Sequence, residues 1–280
     1  PAQVKRLSRS NTSTPLIRLP GYHPAQAKIA QNLKRFNVLD CGRRFGKDIL
    51  QRNYASDGIL IAEPVSWYEP EYKSLVENWQ WFCNTFYPMI SRKSEVEHRI
   101  EFDNGGTLEM WSLQDKDASR GRKYKRVVIN EAAKIPHLEY SWNAVIRITL
   151  ADLRGGAMIG STPKGRNFFW QMYRRCEDPN EKDWKGFHYT TYDNPYIDRA
   201  ELDEMRRTLP EIIFRQEVLA EFIDDQGGVF RRVQEAARLH ALEKPQDGRQ
   251  YVAGVDVASS IDYTVVVVLD ASSHDMVYMD

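Results

Sequence analysis

Short apolar runs rich in β-forming residues recur along the first part of this chain, separated by stretches with helical spacing. The runs Phe36–Asp40, Ile59–Ala62, Arg126–Ile129, Ala157–Gly160 and Phe187–Thr191 predict strands. Strand and helix alternating in this way build an α/β domain around a mainly parallel sheet. Between the second and third runs lie Arg99–Phe102 and Thr107–Trp111, joined by Asp103-Asn104-Gly105-Gly106. Two runs flanking an Asn-Gly turn predict a β-hairpin inserted into that scaffold.

The pattern changes at Asn194. Asp198–Leu209 and Pro210–Phe222 read as two helices, the second opening on a proline that a first helical turn tolerates. Gly227-Gly228 then interrupts the chain, and a polar stretch, Glu243–Arg249, follows. Tyr251–Ala258 and Tyr263–Asp270 are strongly β-branched and predict adjacent buried strands. The expected organisation is therefore an α/β domain over 1–192, a helical lid or linker region over 193–248, and the start of a second α/β domain over 249–280. The chain begins without Met and ends at Met276–Asp280 in what reads as mid-strand, so both ends are expected to be cuts.

Composition narrows the class without naming a function. A chain of 280 residues with 42% hydrophobic and 28% charged residues is long enough for one large domain and part of another, each with a core. No run approaches a membrane span, and Pro1–Arg18 lacks the apolar centre of a secretory leader. Cys41, Cys83 and Cys176 are scattered, which argues against a disulfide framework or zinc site and fits a reducing cytoplasm. The formal net charge is zero, so contact with nucleic acid has to come from local basic patches.

The candidate chemistry begins where the first strand runs into Cys41-Gly42-Arg43-Arg44-Phe45-Gly46-Lys47-Asp48 and then into helix. In a strand–glycine loop–Lys–helix arrangement, backbone N–H groups and the helix N-terminus face a phosphate while the Lys amine reaches its terminal groups. Two departures stand out: Cys41 where the pattern has Gly, and Asp48 where it has Ser or Thr. The plainer reading is a basic surface turn; against it, Arg43 and Arg44 would repel unless a polyanion compensated them. A second candidate is Lys125–Ala133, an apolar strand ending in Asn130-Glu131. In phosphate-loop ATPases such a strand delivers an Asp for Mg2+ and a Glu for the attacking water, although Glu is also common at a helix start. Asp48 adds one negative charge where a hydroxyl is usual and Asn130 removes one, so the charge around Mg2+ is unchanged if the loop supplies the carboxylate. A catalytically weak ATPase is the alternative.

Further segments follow in order: Ile159-Gly160-Ser161-Thr162-Pro163-Lys164-Gly165, Thr190–Ile197, Phe214–Phe222, and Gly254-Val255-Asp256-Val257-Ala258 ahead of Asp262-Tyr263-Thr264. Together, from His23 to Thr264, they resemble the large terminase subunit of tailed bacteriophages. The resemblance implies a phosphate-loop ATPase of the additional-strand class, which uses ATP and Mg2+ to push double-stranded DNA into a procapsid. It also implies an RNase H-like nuclease that cuts the DNA concatemer with Mg2+ or Mn2+. Carried onto this sequence, Gln26 would read adenine, and Arg43, Arg44, Phe45, Gly46, Lys47 and Asp48 would bind the nucleotide. Glu131 would be the catalytic carboxylate, Ser161 and Thr162 would couple to the γ-phosphate, and Asp48 and Asn130 would face Mg2+. Arg120 matches an arginine that reaches a neighbouring subunit's site, although Arg120–Arg126 also reads as a solvated charge run or a contact to DNA phosphates. Asp256 and Asp262 would belong to the nuclease, whose remaining acids would follow Asp280, so this piece is not expected to cut DNA alone. The implied partners are the procapsid portal, the small terminase subunit and further copies in a ring, with a monomer in isolation, no membrane, and the bacterial host cytoplasm as the setting. The competing readings are a helicase-like motor and a nucleotide-binding module without hydrolysis.

Overall fold

The structure is a computed structural model that describes residues 17–223, 245–257 and 264–280; Asp262 lies outside them. The chain divides into two compact units, with the division at Asp225/Gln226.

The first unit is built on an eight-stranded sheet of order β3-β4-β5-β2-β6-β7-β1-β8. In chain order its elements are α1 (Pro24–Gln31), β1 (Phe36–Cys41), α2 (Lys47–Leu60), β2 (Pro64–Glu69), α3 (Tyr72–Phe86), β3 (Ile90–Ser94), β4 (Arg99–Phe102), β5 (Thr107–Ser112) and β6 (Arg126–Ile129). Two short helices, α4 (Leu138–Tyr140) and α5 (Arg147–Thr149), flank a π-helical segment, Ser141–Ile146. Then come β7 (Gly156–Ser161), α6 (Phe168–Arg175), β8 (Trp184–Tyr189), α7 (Arg199–Thr208) and α8 (Glu211–Glu217). Pairing from β5 through β2, β6, β7 and β1 to β8 is parallel, and only β3–β4 and β4–β5 are antiparallel.

The mainly parallel sheet is as the apolar runs predicted, and β1 shows why: all six of its residues are buried. Successive strand side chains point to opposite faces, so Phe36 and Val38 enter one core cluster while Leu39 and Cys41 enter another. Helix α3 buries Leu75, Trp79, Phe82 and Phe86, one stripe of an amphipathic helix, into the cluster that holds Trp67 and Leu108.

One expected strand of this unit needs correction. Ile59–Ala62 is not a strand: Ile59 and Leu60 end α2, and the chain enters β2 only at Pro64. The expected hairpin is present as β4 and β5, and because β5 also pairs in parallel with β2, it carries β4 and β3 onto the same sheet. The helices after Tyr192 are tied to the first unit by backbone bonds from Arg43 N to Glu217 O at 2.7 Å and from Thr191 N to Val218 O at 2.8 Å.

The second unit contains β9 (Tyr251–Asp256), β10 (Val265–Asp270) and β11 (Met276–Met279), an antiparallel meander of order β11-β10-β9. β9 and β10 are neighbours as expected, but they are not buried: Val252 and Val255 are each 59% exposed. These strands are the only described elements of the unit, so no described layer covers either face. Among the described residues no helix is long and apolar enough to cross a membrane.

Candidate functional site

In an open sheet, ligands bind beyond the carboxyl ends of parallel strands. That edge of the first unit holds a cleft of 740 Å³ lined by Arg43, Arg44, Lys47, Asp48, Glu131 and Thr162 among others.

The loop between β1 and α2 is fastened on several sides. Gly42 N donates to Tyr189 O at 2.9 Å, and a Cβ at Gly42 would lie 2.5 Å from Val218 O and 2.7 Å from Thr191 N. Thr191 Oγ1 donates to Arg43 O at 2.7 Å and Asn194 Nδ2 to Arg44 O at 2.6 Å. Gly46, with φ +94°, turns the chain through the left-handed region, where Gly meets no steric penalty, into the start of α2. The first amides of that helix have no intrahelical partner, which makes its N-terminus suited to an anion.

Lys47 is the first residue of α2, and its ammonium lies 2.8 Å from Glu131 Oε1. Burial works to lower the Lys47 pKa, but Glu131 and Asp48 outweigh it and hold it above the ordinary value. Burial would raise the Glu131 carboxyl; Lys47 and Lys134, the latter at 3.0 Å, bring it below its usual range instead. Glu131 itself has φ +48°, a left-handed conformation unusual for a side-chain-bearing residue and of the kind that marks functional sites.

The remaining predicted residues fall in distinct places. Gln26 is 1% exposed and engaged by the protein itself: Nε2 donates to Gly46 O at 2.8 Å and Oε1 accepts from His23 N at 2.9 Å. Through these two bonds it braces the loop against the start of α1. The Phe45 ring is likewise turned into the core, stacked on Tyr189 with 5.1 Å between centroids. Thr162 lines the cleft, whereas Ser161 is fully buried and its Oγ donates to Thr162 O at 2.8 Å. Arg120 is not on the cleft; it is exposed and donates to Asp117 Oδ1 at 2.5 Å and Tyr140 Oη at 3.1 Å. Asp256 ends β9 in the second unit, and among the described residues no group of three or more His, Cys, Asp or Glu is placed to hold a metal.

Asn130 and Asp48 bring in a residue that the sequence did not single out. Asn130 Nδ2 donates to Glu69 Oε1 at 3.0 Å, and the same oxygen accepts from Trp67 Nε1 and Asn78 Nδ2, each at 2.7 Å. Glu69 closes β2, beside Asn130, which directly follows the neighbouring strand β6, and is 1% exposed. Burial pushes its carboxyl up to about 7, against the hydrogen bonds from Trp67 and Asn130, and the Asp48 charge adds to the rise. Asp48 Oδ1, Glu69 Oε2, Asn130 Oδ1 and Thr162 Oγ1 are all buried without a hydrogen-bond partner among the described residues. Carboxylate and amide oxygens of this kind, as on the linked Glu69, Asn130 and Asp48, are the donors a hard divalent cation such as Mg2+ prefers.

A family model, terminase large subunit, T4likevirus-type, N-terminal, matches residues 70–237. The large terminase subunit of Escherichia phage T5 is 26% identical over 235 residues, which cover 80% of this chain and 53% of that protein. The large terminase subunit of Thermus phage G20c is 31% identical over 181 residues, 57% of this chain and 37% of that protein. The chain thus spans about half or less of the length of these relatives. Among solved structures, the ATPase domain of the Thermus phage P74-26 large terminase superposes with a TM-score of 0.63 at 23% identity, covering 72% of this chain and 94% of that one. The large terminase of a thermophilic bacteriophage, solved in complex with ADP, gives 0.56 at 13% identity over 88% of this chain and 63% of that one. These two show the shared fold. With more than half of its length matched by the family model, this chain belongs to the large terminase subunits, and the matched region is their N-terminal part.

Proposed function

We propose that the first unit hydrolyses ATP and that the protein uses this to drive double-stranded DNA into a procapsid. The observation that carries the reading is the 2.8 Å contact between Lys47 and Glu131, which joins the two motifs at the carboxyl edge of the sheet. An ammonium at the start of α2 is placed to hold β- and γ-phosphates, and a carboxylate beside it to orient the attacking water. Arriving phosphates compete with Glu131 for Lys47, and Glu131 is released toward water as they win. Arg43 and Arg44 on the same cleft add positive charge for the polyphosphate. Mg2+, which the oxygens around Asp48 fit, would neutralise charge on the phosphates.

The second unit is assigned to the nuclease, with Asp256 and Asp262 among its acids and Mg2+ or Mn2+ as its metals. The portal, the small subunit and other copies in a ring are the proposed partners. A module that binds nucleotide without hydrolysing it is the second reading, favoured by the amide at Asn130 where such a strand usually ends in a carboxylate.

Titration calorimetry beside a phosphate-release assay separates the two. Lys47→Ala is expected to lose turnover and to weaken ATP binding by at least about tenfold. Glu131→Ala should lose turnover with binding nearly intact, because its role is toward water. A parent chain that binds ATP and releases no phosphate, with or without DNA, selects the non-hydrolysing module. Wild-type turnover in both variants would mean that the site lies elsewhere.

A further inference from the structure

We propose that Glu69, at the end of β2, supplies the metal-facing carboxylate that β6 lacks, held in place by Asn130, so that Asp48 and Glu69 grip the nucleotide's divalent cation from two different elements. This rests on the reading of the 740 Å³ cleft as an ATP site.

The two oxygens of Glu69 are treated differently. Oε1 accepts from Trp67, Asn78 and Asn130, while Oε2 is buried with no partner among the described residues. An anchored oxygen and a bare one together orient a carboxylate, as supporting contacts do around bound metals. Asn130 is held the same way: its Nδ2 is engaged by Glu69 and its Oδ1 is left over. Asp48, close enough for its charge to act on Glu69, also keeps Oδ1 without a partner. Buried acceptors without donors are costly, and two carboxylates brought together repel. One divalent cation answers both problems, since it takes oxygen ligands and neutralises paired acids.

A purely structural role for Glu69 would need only Oε1, and glutamine supplies that acceptor equally well. Glu69→Gln therefore tests the charge at Oε2. Mn2+ is the probe, its free ion followed by electron paramagnetic resonance in the presence of ADP, with ADP affinity measured separately in EDTA. Glu69→Gln is expected to weaken Mn2+ binding by about ten- to a hundredfold while ADP binding in EDTA is unchanged. Glu69→Gln combined with Asn130→Asp returns an acid to the end of β6 and is expected to recover most of the loss.

Unchanged Mn2+ affinity in Glu69→Gln overturns the proposal while leaving the ATP site standing. A parent chain that fails to bind ADP in EDTA overturns the ATP site and this proposal with it. Should Glu69→Gln fail to fold, the double variant decides: parent-like Mn2+ affinity supports the assignment, and a folded double variant without it refutes the assignment.

Discussion

Burial and pairing oppose each other at Asp40, on the strand that leads into the loop between β1 and α2. It is 1% exposed, Oδ2 accepts from His188 Nδ1 at 2.7 Å, and Oδ1 has no partner among the described residues. Burial pushes the carboxyl from 3.8 up to about 6 in spite of His188. The hydrogen bond to Asp40 raises the His188 pKa against burial. Both groups thus hold protons more tightly folded than unfolded. Asp40's contribution is complete below its unfolded value and is lost as pH rises through about 6. His188's is lost at higher pH, in the same direction. Asp40→Asn should therefore gain stability relative to the parent as pH rises from about 4 through about 6, on the order of 3 kcal/mol from the carboxyl. Urea titrations of both proteins across that range check it, and a pH-independent difference would refute it. At this scale the sequence pointed to Lys47 and Glu131 through their own local motifs, and the fold brings the two within 2.8 Å of each other. The sequence hid Glu69, which meets Asn130 across 61 positions through sheet pairing that no local pattern encodes.

Local pattern and tertiary packing part company most clearly where α2 meets β2. Ile59-Leu60-Ile61-Ala62 is apolar and partly β-branched, so it reads as a strand, yet Leu60 and Ile61 are 40% and 62% exposed at a helix end. Gly58 explains the helix: a Cβ there would lie 2.7 Å from Arg126 Cδ and 2.9 Å from Val65 Cγ2, so the last turn presses onto the sheet at a glycine. β2 itself starts with Pro64, which a first strand residue tolerates, and carries Ser66 and Glu69, which dilute its apolar signal. The other strands were legible because central parallel strands are apolar on both faces, whereas Arg92 and Lys93 disguised the outer strand β3. Glycine also yields the element-scale prediction. Gly42→Ala drives a methyl into Val218 O and Thr191 N, parting the loop from β8 and the segment after α8. The expected cost is about 1–3 kcal/mol with loss of ATP binding. Gly105→Ala, at φ +91° with nothing within 4 Å, meets only backbone strain, about 1–2 kcal/mol, and should leave binding intact. Denaturant midpoints with calorimetry check the pair; ATP binding preserved in Gly42→Ala would refute the fastening of the loop.

For the whole molecule, the ordered succession of motifs carried more information than any single one, and it was the order that revealed the family. Order cannot show what one chain leaves for another to supply, and Arg120 raises that question. Its guanidinium is exposed, engaged among the described residues with Asp117 and Tyr140, and absent from the 740 Å³ cleft that holds Lys47 and Glu131. Yet Glu131 and Lys134 also border a second cleft, of 510 Å³, lined by Glu71, Gln114 and His137, so the Glu131 carboxylate is approached from two sides. An arginine that leaves its own surface pair for a neighbour's transferred phosphate would complete a site only in an assembly. Specific activity should then rise with protein concentration, whereas a self-sufficient site keeps it constant. Chains carrying Arg120→Ala should each retain an intact Glu131, and chains carrying Glu131→Ala an intact Arg120. Each variant alone is expected to be inactive. Mixed, some interfaces pair a good carboxylate with a good arginine, and up to about a quarter of parent activity should return if mixing is random, as the product of two half-populations. Co-sedimentation establishes that the two chains assemble. Co-assembly without recovered phosphate release would place Arg120 on the basic surface alone, while recovery at the expected level would make the interface part of the active site.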